Sequence, residues 1–276
     1  MFPIKDNIPT ERVPVITIAL IVINVLVFVF FQHPTGFDSV DNTKVIKYGA
    51  IPYEITHPGK ECGDGSSVAP DGTLTGPPSG RVICVGNVEP TSAGPAKIRH
   101  ISGSQPSTWL TIFTAMFMHG GILHIAGNML FLWIFGNNVE DSMGRAKFVG
   151  FYILGGLAAL GLQVLIDPGS QVPTIGASGA IAAVLGGYIV LYPRARVVTV
   201  VFIILFFTIL ELPAVFMLGI WFLQQVLFGA ADLTNPTGGG GGVAYFAHIG
   251  GFAFGVALIK LFATRVKQVP PRIPVY

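Results

Sequence analysis

The stretch Thr174–Gly187, TIGASGAIAAVLGG, is almost wholly apolar, carries no charge and is dominated by Gly and Ala. Small residues let helices in a lipid environment approach backbone to backbone, so the segment reads as a closely packed membrane helix. Ser178 sits at its start, flanked by Ala177 and Gly179. Alone it would be packing; what surrounds it in the chain decides otherwise.

Of the 276 residues, 51% are hydrophobic and only 11% charged, with a mean hydropathy of +0.67. A soluble domain carries about a quarter charged residues, so the composition is that of a membrane protein. The net charge of +2 excludes an electrostatic nucleic-acid binder, and no nucleotide loop or metal cluster is visible. No cofactor is expected.

Apolar runs able to cross about 30 Å of hydrocarbon lie near residues 13–32, 118–137, 147–165, 175–192, 213–229 and 243–263. A seventh run, VVTVVFIILFFTIL (Val197–Leu210), is short, rich in β-branched and aromatic residues, and followed by Glu211 and Pro213. It reads as an interfacial or re-entrant lead-in to the fifth helix. With six spans, ten of the sixteen Lys and Arg residues fall on one side, and the short loops near 166–174 and 230–242 hold none. The positive-inside rule therefore places both termini in the cytoplasm. The expected organisation is a cytoplasmic N-terminus (1–12), a membrane domain (13–263) with a long outer first loop (33–107), and a cytoplasmic tail (264–276). No cleavable signal peptide or targeting presequence is apparent, so the bacterial cytoplasmic membrane is the expected location. Cys62 and Cys84 both fall in the outer loop; two exported thiols favour a disulfide, though free thiols in a mobile loop would read the same.

Polar side chains inside membrane helices are costly and point to function. The second helix carries His119, His124 and Asn128, the fourth Ser178 and the sixth His248. On the six-span topology all three helices begin at the outer face, which puts these groups in one layer about 5–12 Å deep at 1.5 Å per residue. His124 and Asn128, four apart, share a helix face. His248, Gly251 and Gly255 share another, a small-residue contact strip that would bring the fourth helix close. A serine hydroxyl needs a base to become a nucleophile, and imidazole suits that role near neutral pH. The Asn128 amide, the His124 ring and the Ser178 backbone N–H are donors suited to an oxyanion. Asp167 and Asp232 lie in loops, and Glu140 and Glu211 nearer the cytoplasmic side, so a Ser–His dyad is expected. His119 reads as structural. NPTGGGGGVAY (Asn235–Tyr245) reads as a mobile cap over the site or as a plain linker.

In HGGILHIAGNM (His119–Met129), GASGA (Gly176–Ala180) and AHIGGFAFG (Ala247–Gly255), the chain resembles the rhomboid intramembrane serine proteases. The three motifs occur in family order on helices two, four and six. The resemblance implies an all-α rhomboid-like bundle of six transmembrane helices that cleaves transmembrane segments of other membrane proteins. Ser178 would be the nucleophile and His248 the base. His124 and Asn128 would form the oxyanion hole, with Gly176 giving backbone room. Two departures stand out: Leu110 follows Trp109 where many members carry Arg, and Ala182 stands where some carry a ring that stacks on the histidine. The competing reading is a non-catalytic membrane-client binding or translocation protein on the same scaffold.

Overall fold

The computed structural model describes residues 2–34, 36, 40–68, 74–75, 82–84, 89–91, 94–99, 106–203, 206–234 and 243–267. Nine helices dominate the described residues: α1 Val15–Gln32, α2 Asn42–Tyr48, α3 Pro52–Thr56, α4 Thr108–Phe117, α5 Ile122–Met143, α6 Arg145–Ile166, α7 Ser178–Leu191, α8 Ala214–Thr234 and α9 Tyr245–Phe262. Five of them (α1, α5, α6, α8 and α9) are long and apolar enough to cross a membrane. The chain is an all-α, multi-pass membrane protein; among the described residues, strands lie before α1, between α3 and α4, and between α7 and α8. It divides into two compact units, residues 1–23, 126–162 and 178–276 in one, and 24–125 with 163–177 in the other.

The first unit is built on glycine. A Cβ added to Gly251 of α9 would run into the Gly179 carbonyl of α7, and one at Gly255 into that of Ala183. From the other side, a Cβ at Gly186 would meet the Phe252 carbonyl, and one at Gly187 would lie 2.8 Å from Ile259 Cδ1. α6 closes on both helices, with Ala159 Cβ 2.6 Å from a Cβ at Gly179 and Leu162 Cβ 2.7 Å from one at Gly250. α7 consequently buries every residue from Gly179 to Tyr188. This explains a departure from the expected fourth span. α7 has only 14 residues, about 21 Å at 1.5 Å per residue, and needs no lipid-spanning length because protein surrounds it. It starts at Ser178, not at residue 175, because Thr174 pairs backbone to backbone with Ala50 in the second unit and Gly176 has φ 118°.

The Val197–Leu210 run is neither a span nor a re-entrant helix. It forms an antiparallel hairpin of β7 (Arg196–Ile203) and β8 (Phe206–Pro213), to which β1 (Phe2–Asp6) adds on the β7 edge. Its β-branched and aromatic residues favour a strand over a helix.

Polar ties secure the same unit. Buried Glu140 of α5 accepts from the Ile16 and Thr17 N–H groups and the Thr17 hydroxyl at 2.8–3.0 Å, capping the start of α1. Asp141 pairs with Arg265 and with Lys267. Asp6 accepts from Tyr188 (2.6 Å) and Asn138 (2.8 Å); burial holds its carboxyl above the usual range, and the two bonds oppose that shift.

In the second unit the described residues between α1 and α4 hold helices and strands that their composition did not imply. Asp41 caps α2, Pro52 opens α3, and β2 (Cys62–Val68) pairs with β3 (Leu74–Thr75), β4 (Val82–Cys84) and β6 (Gly94–Arg99), with β5 (Glu89–Thr91) on β6. A disulfide joins Cys62 to Cys84 across the β2–β4 pair, packed with Ile46 and Ile51. Glu54 accepts the Cys62 N–H at 2.7 Å, and burial raises its carboxyl. The Asn235–Gly242 part of the expected cap lies outside the described residues.

Overpacking against a backbone atom costs at least 1–3 kcal/mol. Gly255→Ala is therefore expected to lose the folded fraction in detergent, whereas Gly219→Ala, whose Cβ meets nothing within 4 Å, should keep the wild-type Tm. Equal melting of the two variants in a thermal-shift measurement would contradict the close α7–α9 contact.

Candidate active site

Ser178 occupies the first turn of α7, where backbone N–H groups have no partners within the helix. His248 lies in the first turn of α9. The glycine contact between the two helices sets the distance: Ser178 Oγ lies 2.8 Å from His248 Nε2. Both residues are partly exposed. On the opposite edge of the imidazole, Nδ1 lies 2.8 Å from Oε1 of Gln225 on α8. Gln225 is 7% exposed.

The direction of these bonds follows from what each atom can do. Gln225 Nε2 reaches the Trp221 carbonyl at 3.4 Å, and a carbonyl can only accept, so the amide oxygen faces the imidazole. His248 Nδ1 then carries the proton. Nε2 is left with a lone pair and accepts from the Ser178 hydroxyl. This is the state a general base must hold before reaction.

Trp221, one helical turn before Gln225, lies with its ring 5.8 Å from that of His248 at 38°. An aromatic ring thus covers the histidine from α8, although Ala182 of α7 offers none. Neither Gln225 nor Trp221 was singled out in the sequence. The available signal was Gln224–Gln225 in the middle of LGIWFLQQVLFG (Leu218–Gly229), a polar pair inside an apolar span. Gly251 and Gly255 lie on the α9 strip that meets α7, as described above.

α5 carries Asn128 and His124, while His119 lies just before α5 and Gly176 just before α7. Asn128 belongs to the first unit and is 8% exposed; among the described residues its amide nitrogen makes no hydrogen bond. His124, one turn earlier, belongs to the second unit. There the Gly120 N–H donates to His124 Nδ1 at 3.2 Å, which leaves Nε2 carrying the ring proton. His119 is fully buried, with its ring edge-on to His124 at 5.1 Å. Its backbone is clamped by Gln32: the His119 N–H donates to Oε1 and Nε2 donates to the His119 carbonyl, both at 2.8 Å. Gly176, also in the second unit, donates its N–H to the Ala115 carbonyl at 2.9 Å. Its φ of 118° is a conformation open to glycine and strained for other residues.

Trp109 is 76% exposed, and Glu140 is engaged at the α1 N-terminus. His33 and His57 lie in the second unit, where His57 stacks on Tyr53.

Fold and site define a multi-pass helical membrane protein with a hydrogen-bonded serine–histidine pair. The profile of the Rhomboid domain matches residues 106–265, more than half of the chain. The chain belongs to the rhomboid family. It is 32% identical over 153 residues to Rhomboid protein 1, mitochondrial, of Saccharomyces cerevisiae, covering 53% of this chain and 40% of that one. It is 28% identical over 159 residues to Rhomboid-like protease 3 of Toxoplasma gondii, covering 58% and 54%. It is 27% identical over 177 residues to the Presenilin-associated rhomboid-like protein, mitochondrial, of Mus musculus, covering 62% and 45%. The chain spans about half the length of these relatives.

If His248 activates Ser178, a fluorophosphonate probe labels the wild-type protein, and neither Ser178→Ala nor His248→Ala is labelled. Labelling of His248→Ala at the wild-type rate, read by gel fluorescence, would mean that the imidazole does not activate the hydroxyl.

Proposed function

We propose that the protein is an intramembrane serine endopeptidase that cuts transmembrane segments of other membrane proteins. The observation that carries this reading is the 2.8 Å hydrogen bond from the Ser178 hydroxyl to His248 Nε2. In the proposed reaction, Ser178 Oγ attacks the scissile carbonyl carbon as its proton passes to Nε2. The carbonyl oxygen becomes an oxyanion. Asn128 Nδ2, the His124 Nε2–H and the Ser178 backbone N–H are donors suited to it. The C–N bond then breaks, His248 returns the proton to the leaving amine, and an acyl-enzyme remains. Water, deprotonated by His248, releases the acid and regenerates Ser178.

The boundaries proposed for this activity are 1–12 and 264–276 for the cytoplasmic ends and 13–263 for the membrane domain, with the site toward the outer face. The charge asymmetry and the Cys62–Cys84 pair on the exported side support that orientation. A bacterial cytoplasmic membrane is the proposed location.

A peptide bond inside a helix is shielded, so cleavage requires local unwinding. Gly, Pro or polar residues near the cut lower that cost. Changing them to Leu in a model substrate is expected to slow cleavage; unchanged rates would contradict an unwinding step.

With a transmembrane substrate in liposomes, Ser178→Ala and His248→Ala should abolish cleavage. Removing one oxyanion donor costs roughly 10²–10³-fold in kcat, so Asn128→Ala should fall by about that much with KM little changed. Residual cleavage by Ser178→Ala would exclude the proposed nucleophile. Capture of uncut substrate by a wild type that no fluorophosphonate labels would favour the client-binding reading.

A further inference from the structure

The imidazole of a serine hydrolase must be held in one tautomer, and a buried carboxylate on Nδ1 commonly does this. Among the described residues of the first unit, no Asp or Glu is shown hydrogen-bonded to His248 Nδ1. α7 carries no Asp, Glu, Lys or Arg; α9 carries only Lys260, in its last turn; α8 carries only Asp232, seven residues beyond Gln225. What faces Nδ1 instead is the Gln225 amide oxygen, at 2.8 Å.

We propose that Gln225 is the positioning residue for His248. Its Oε1 accepts the Nδ1–H and fixes the tautomer in which Nε2 takes the Ser178 proton. The inference rests on the protease reading above.

Two further features support the assignment. The Gln225 side chain is itself held from behind: Nε2 on the Trp221 carbonyl at 3.4 Å disfavours the flipped amide, which would present N–H groups to Nδ1 and favour the wrong tautomer. The Trp221 ring lies over the same imidazole and packs on Phe252 of α9 at 6.1 Å, and Phe222 stacks on Phe252 at 4.4 Å, seating α8 at this level. When Nε2 takes the serine proton, the imidazolium keeps its Nδ1–H on the amide oxygen. No proton passes to Gln225, and the amide dipole supports the positive charge without a second buried charge. A neutral amide in this place suits an apolar span, where an ionised carboxylate is expensive.

The test is Gln225→Met, which keeps length and volume and removes the acceptor. The expected result is a kcat lowered about 10–100-fold with KM and Tm unchanged, because imidazole then divides between tautomers and orientations. The rate of fluorophosphonate labelling of Ser178 should fall in parallel. Gln225→Glu, which keeps an acceptor oxygen, should recover part of the loss.

The deciding readout is the ¹⁵N spectrum of histidine-labelled protein in a Ser178→Ala background. There His248 should be Nδ1-protonated with Gln225 present and mixed in Gln225→Met. A merely structural role would move the Tm and leave the tautomer alone. An Nδ1-protonated imidazole that persists in Gln225→Met, or a kcat within twofold of wild type, overturns the proposal. If wild type cleaves and the tautomer ignores Gln225, this inference fails while the protease reading stands. If the tautomer depends on Gln225 and wild type neither cleaves nor labels, the protease reading fails instead.

Discussion

Everything in the first unit depends on the backbone contact between α7 and α9. Helices in lipid gain little from burying apolar side chains against one another, because the surrounding acyl chains are as apolar. They gain from close packing, and here the approach is so close that Gly251 and Gly255 face carbonyls of α7 while Gly186 faces one of α9. That contact fixes the distance between the first turns of two helices. Ser178 and His248 sit in those turns, and their hydrogen bond follows from the packing.

The same contact explains the shortness of α7. A helix enclosed by protein need not match the thickness of the membrane, and it can start below the surface. Starting at Ser178 has a chemical consequence. The serine's own N–H and those after it belong to the open end of a helix, where orphan donors and a positive dipole end favour an anion. The turn at Gly176 and the extended pairing of Thr174 with Ala50 stop the helix from beginning earlier and consuming those donors.

Polar groups elsewhere in the first unit obey one rule, that each buried group finds a partner of the opposite kind. Glu140 meets the N–H groups that open α1; Asp141 meets Arg265 and Lys267; Asp6 meets Tyr188 and Asn138. The Gln225–His248–Ser178 chain follows that rule through two contacts of 2.8 Å. Three buried groups of this unit depart from it among the described residues: the Asn128 amide nitrogen and the hydroxyls of Tyr152 and Tyr192 make no hydrogen bond. A buried donor left open costs about 1–3 kcal/mol, which a structure retains where something else fills the position.

The sequence by itself determined the membrane class and the family, and it singled out Ser178, His248, His124 and Asn128 as polar side chains within apolar segments. Membrane constraints are strong and local, since twenty apolar residues and a rare polar side chain are legible one span at a time. The strand character of Val197–Leu210 was also written there, in its β-branched and aromatic residues, but apolar length masked it until β1 and the hairpin pairing were seen. Composition likewise hid the strand pairing of β2 with β4, in which Cys62 meets Cys84 across 22 residues. Only the tertiary structure decided the length of α7 and the meeting of Gln225 Oε1 with His248 Nδ1 at 2.8 Å. Each depends on atoms from different helices meeting at hydrogen-bond distance. Spacing within one helix carries no information about which residue of another will face it.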